Sequence, residues 1–73
     1  MDRNQINFDI ARRVNLAISE AGSDVTNVAQ AADITIPELE DRLSGRVEFQ
    51  PDELVRVGGF LRIPATEFIK EAA

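Results

Sequence analysis

The side chains of this chain that can take part in chemistry are acids, arginines and a few hydroxyls. Thirteen Asp and Glu stand against eight Lys and Arg, and His and Cys are both absent. Without His the usual general base and the usual metal ligand are missing. Without Cys there is neither a disulfide framework nor a thiolate zinc site. A nucleophile would have to be Ser19, Ser23 or Ser44 with Lys70 as its base, and nothing in the spacing brings Lys70 near any of them. Neighbouring acids occur as Glu40-Asp41 and Asp52-Glu53, but no spaced loop resembles a calcium site. Asp52 and Glu53 follow Pro51 and suit the start of a helix, where negative charge meets the positive end of the dipole. The expectation is a non-enzyme with no cofactor and no metal. Recognition remains, with Arg42 and Arg46 as candidate anion contacts.

The elements that would position these residues are helical. Ile6, Ile10, Val14, Ala17, Ile18 and Ala21 recur at spacings of three and four, which predicts a helix over residues 5–21 ended by Gly22. Asp24 can cap a second helix with Asn27 at its third position. Val25, Val28, Ala29 and Ala32 give that helix an apolar face, and Asp33 ends it in a left-handed turn. Thr35 and Glu38 have capping-box spacing around Pro37. They open a third helix with Ile36, Leu39 and Leu43 on its inner face and Gly45 at its end. A fourth helix starts at Gln50-Pro51 and carries Leu54, Val57 and Leu61 inward, with Phe49 and Leu54 spaced as a hydrophobic staple. Pro64 opens a last short helix from Ala65 to about Glu71, with Phe68 and Ile69 as its apolar residues. The only β-branched cluster, Ile34-Thr35-Ile36, is cut off by Pro37. The fold class expected is all-α: five short helices in one domain spanning residues 1–73, with a helix-turn-helix at about residues 25–44.

Three stretches of this pattern resemble the lambda-repressor/Cro-like group, also called the XRE-type helix-turn-helix family. Val28-Ala29-Gln30-Ala31-Ala32-Asp33-Ile34-Thr35 is similar to its L-A-x-x-x-G-I/V-S stretch. Leu39-Glu40-Asp41-Arg42-Leu43-Ser44-Gly45-Arg46 is similar to the L-S-R-x-L-S-G-R end of its recognition helix. Residues 53–64 resemble E-L-x-x-I-A-x-x-L-G-I/V-P. The likeness covers roughly residues 10–69. It implies a small regulator of a phage or its bacterial host that binds a double-stranded DNA operator as a homodimer. It further implies a DNA interface made of Thr26, Asn27, Thr35, Ile36, Pro37, Glu40, Asp41, Arg42, Ser44 and Arg46. Self-association falls to Phe60, Ile63 and Ile69, with Phe60 at the edge of the fourth helix's stripe beside Gly58 and Gly59.

Three features depart from the family pattern. Asp33 and Arg62 stand where Gly is usual, and the third helix is acidic. Residues 24–44 hold five acids and one base, a net of −4 within a chain of net charge −5. Readers of DNA usually carry Arg, Lys, Gln, Asn, Ser or Thr on that helix. Glu40 and Asp41 are either solvated surface or acceptors for the cytosine amino group. Glu38 is either the capping partner of Thr35 or part of a functional face. Arg42 and Arg46 are either phosphate contacts, with Arg3, Arg12 or Arg13 in support, or neutralisers of Glu38, Asp41 or Glu48 in surface pairs. Phe8, Phe49, Phe60 and Phe68 are expected in the core rather than as ligand platforms, with partial exposure and self-association the alternative for Phe60.

At 73 residues the chain is a single small domain near the lower limit for folding alone. Its 44% hydrophobic and 29% charged residues argue against disorder. The first residues carry no signal-peptide pattern and no apolar run approaches a membrane span, so a cytoplasmic protein of a bacterial cell is expected. Two functions fit: a sequence-specific DNA-binding regulator, or an acidic interaction protein on the same scaffold whose partner is a basic protein surface, as in an antirepressor or antitoxin-like role.

Overall fold

A computed structural model describes residues 3–69. Four α-helices follow in order: α1 (Arg3–Ala21), α2 (Val25–Ala32), α3 (Ile36–Leu43) and α4 (Pro51–Leu61). A 3-10 turn, Ala65–Glu67, closes the described chain, and no strand occurs among these residues.

The helix ends are fixed by the residues that marked them in the sequence. Asp24 accepts a hydrogen bond from the Asn27 N–H at 2.9 Å, which satisfies one of the orphan donors of α2. Asp33 adopts the left-handed conformation, with φ at 62°, and its N–H and that of Ile34 return to the carbonyls of Gln30 and Ala29. The Thr35–Glu38 capping box forms in both directions, at 3.2 and 2.8 Å. Arg62 also takes the left-handed conformation, with φ at 62°, as the C-cap of α4. Both departures from Gly therefore fall where the backbone turns through positive φ, a conformation Gly holds at lower cost.

The core lies where the four helices meet. Val14, Val28, Ala32, Leu39 and Val57 are fully enclosed, and Ala17, Ile18, Ala29, Phe49, Leu54 and Phe68 are buried around them. Ile34 and Leu43 pack against this cluster in part-buried positions. α2 packs against α3 and most extensively against α4, while α1 lies across α3 and α4. The small side chains of Ala29 and Ala32 sit on the face of α2 that makes these contacts.

Four expectations need correction. The fifth helix is a single 3-10 turn, held by Glu67 N–H to Pro64 O and Phe68 N–H to Ala65 O. Phe68 turns into the core directly after it, and Glu71 lies outside the described residues. Ile36, expected on the inner face of α3, is 40% exposed, because it opens the helix ahead of the turn that carries Leu39 inward. Phe8 is 54% exposed. Its ring lies over Gly45, close enough that a Cβ there would collide with it. Ile6 and Ala21, at the two ends of the α1 stripe, are also exposed, since α1 runs past the elements it covers.

Candidate nucleic-acid interface

α2 and α3 are two eight-residue helices joined by the turn through Asp33, Ile34 and Thr35. Leu39 is fully buried on the inner side of α3 and Leu43 is part-buried beside it. The opposite side presents Pro37, Glu40 and Ser44 in exposed positions, with Asp41 half-buried among them. Thr26 and Asn27, in the first turn of α2, are exposed, as are Thr35 and Ile36 at the start of α3. Gln30, which the sequence did not single out, is exposed on α2 and lines a shallow depression with Asp33, Ile34, Thr35 and Glu38.

The acids of this surface divide into engaged and unengaged groups. Glu38 is engaged. Its carboxylate accepts from the Thr35 N–H, and this hydrogen bond, with one from the Thr35 side chain and the nearby charge of Arg42, holds its pKa below the usual value. Asp41 Oδ1 accepts from Arg46 Nη2 at 2.9 Å in an exposed pair. Glu40 has no hydrogen-bond or ionic partner among the described residues, and its carboxylate stands in solvent.

The arginines sit less simply than the sequence implies. Arg42 does not project from α3 as an outward phosphate anchor, and its pair is not a surface pair. Its Nε donates to Glu53 Oε1 at 2.8 Å and its Nη1 to Glu38 O at 3.0 Å. The two paired side chains are only 13% and 8% exposed. Glu53 Oε1 also accepts from the Gln50 N–H at 2.9 Å, so one carboxylate caps α4 and ties it to α3. Arg13 donates to the Phe68 carbonyl at 3.1 Å and is part of the packing. Arg46 and Arg12 remain exposed, with Asp41 and Asp9 beside them. The Arg3 side chain lies outside the described residues.

The segment after α3 is firmly held. Ser44 Oγ donates to Asp41 O at 2.8 Å, and the N–H groups of Arg46 and Val47 both return to that carbonyl. Gly45 takes φ at 83° beneath the Phe8 ring. Asn15 Nδ2 bridges from Ala11 O to Leu43 O, both at 3.0 Å, which fastens α1 to the end of α3. Neither Asn15 nor Glu53 was identified in the sequence as a support of α3. Their partners lie 28 and 11 residues away, where helical periodicity carries no signal.

The residues assigned to self-association lie on and beyond α4. Phe60 is 45% exposed, Ile69 is exposed and Ile63 is part-buried against the core. Val55 is 62% exposed, and with Ile69 it lines an apolar groove of about 430 Å³ that also takes in Ile6, Ile10, Phe49 and Leu54. No group of three acids is arranged to hold a metal ion among the described residues, and Lys70 lies outside them. No helix there is long and apolar enough to cross a membrane. No protein family, curated protein or solved structure matches the chain.

Proposed function

We propose that this chain is a small sequence-specific DNA-binding regulator of the lambda-repressor/Cro-like kind, acting in the cytoplasm of a bacterial cell without catalysis or cofactor. The observation that carries the reading is the geometry of α2 and α3. Two capped helices are joined by a three-residue turn, and the outer side of the second exposes Thr35, Ile36, Pro37, Glu40 and Ser44. A helix so mounted can enter a major groove with its N-terminal residues toward the bases. Thr26 and Asn27 then stand at the edge of the groove, and Arg46, just past the end of α3, is the nearest exposed cation for a phosphate.

A two-fold operator needs two such helices about 34 Å apart. Self-association through Val55, Phe60, Ile63 and Ile69 supplies the second copy. Gly59 supports this surface. It lies inside α4, is exposed, and has nothing within 4 Å of the place where a Cβ would stand. The single chain therefore gives no packing reason for a residue that weakens a helix by about 1 kcal/mol, whereas the close approach of another backbone would.

One observation favours a second reading. With Arg42 drawn inward, the outer side of α3 carries Glu38, Glu40 and Asp41 against Arg46 alone. Such a face suits a basic protein partner. Charge-neutral variants separate the two. For a DNA reader, Glu40→Gln with Asp41→Asn raises binding to random duplex because repulsion from phosphates is relieved. Arg46→Ala weakens binding to every sequence and flattens the salt slope by about 0.9 per lost contact. Parent protein that binds no duplex even at low ionic strength leaves the protein-binding role.

A further inference from the structure

Resting on the DNA-binding reading, we infer that α3 recognises a cytosine amino group through Glu40 and thymine methyl groups through Ile36 and Pro37, and that it reads no guanine.

The major-groove edge of each base pair offers a distinct set of groups. Guanine presents two acceptors and is read by Arg or Lys; cytosine presents a single amino donor; thymine presents an acceptor and a methyl group. The only base within α3 is Arg42, and its Nε and Nη1 are committed to Glu53 and to the Glu38 carbonyl behind the helix. The reading side of α3 thus lacks the donors that guanine requires.

That side offers apolar surface first. A recognition helix contacts bases chiefly with its N-terminal residues. Here these are Ile36 and Pro37, both exposed. The Thr35 hydroxyl between them and the turn is engaged within the capping box, accepting from the Glu38 N–H and donating to the Glu38 carboxylate. Apolar groups at this place match the thymine C5-methyl.

Glu40, one turn further along, supplies the polar contact. Its carboxylate has no partner among the described residues, whereas Glu38 is held by the capping box and Asp41 by Arg46. An ionised carboxylate only accepts. It can take the N4–H of cytosine, but it meets an acceptor at guanine O6 and N7 and at thymine O4. At adenine it meets N7 beside the N6 donor. Cytosine is the base that offers Glu40 a donor without an adjacent acceptor.

Selection from a random duplex library, with the parent and with Glu40→Gln, tests the inference. The parent should enrich a half-site holding thymines beside one cytosine on the strand that α3 reads. Glu40→Gln should change that cytosine to adenine, the base that Gln reads bidentately, and leave the other positions as they were. Replacing the thymines of the parent's site by deoxyuridine, which removes only the methyl groups, should weaken binding roughly tenfold. It should matter much less to Ile36→Ala. Circular dichroism of each variant confirms that these exposed substitutions leave the fold in place. Selected sites read through guanine, or a preference that Glu40→Gln does not move, overturn this inference while DNA binding stands. Failure to enrich any duplex at low salt overturns both.

Discussion

Arg42 illustrates how one side chain can leave the surface its sequence position suggests. It sits in the last turn of a helix whose other face is exposed, yet it reaches back to Glu53 at the start of α4. Removing one partner of an enclosed pair strands the other charge, so Arg42→Ala should lower the unfolding free energy by about 3 kcal/mol. Chemical denaturation checks this. A loss below about 0.5 kcal/mol would mean that the pair contributes nothing to fixing α3. Glu38 gives a pH signature. Its pKa is lowered by folding, so its contribution is present above the ordinary value of 4.5 and is lost as pH falls through the lowered one. The stability gap between the parent and Glu38→Gln should therefore narrow as the pH drops from about 5 toward 3. A gap that is constant over that range would contradict the capping role. The cap itself was legible in the sequence, because Thr35 and Glu38 lie three residues apart. The Arg42–Glu53 tie was not, because only the tertiary arrangement brings the two together.

The helices differ in how openly their sequences declare them. α2, α3 and α4 carry caps at their starts, and each begins where its cap places it. The terminal segment has no such marker beyond Pro64, and the helix that its sequence predicts does not form over Ala65–Ile69. The chain there makes one 3-10 turn, Ala65–Glu67, and then buries Phe68. Helical spacing also points Ile6 and Ile36 inward, but spacing identifies a stripe without saying how far along it the neighbouring elements extend. Ala29 is on the buried face of α2, in the core cluster, and it is 2% exposed. Ala29→Leu should destabilise by roughly 1–3 kcal/mol through overpacking, read as a fall in melting temperature. An unchanged melting temperature would remove the close crossing. The two glycines of α4 should respond in opposite directions. At Gly58 a Cβ would strike the Ile63 carbonyl oxygen, so Gly58→Ala should destabilise. At Gly59 the space is open, so Gly59→Ala should stabilise the chain by about 1 kcal/mol. The same change should weaken self-association in sedimentation. Association that is undiminished would place the contact elsewhere than this side of α4.

On the proposed reading, an acidic protein approaches an acidic polymer. The net charge of −5 opposes approach to DNA, and the exposed cations near the reading helix are few. A regulator built this way should depend on base contacts and on doubling by self-association more than on phosphate attraction. Its binding should therefore fall less with salt than that of a basic reader. The layout of four helices and the place of the exposed face followed from periodicity and capping. The assignment of each arginine did not, because charge patterning along the chain cannot say which partner a long side chain reaches. The most direct measurement is a mobility shift of genomic fragments by the parent protein across a salt series, with excess random competitor. Retention of one or a few fragments at physiological salt, with a shallow salt slope, is the expected result. Absence of any shifted fragment even at low ionic strength would contradict the DNA-binding account.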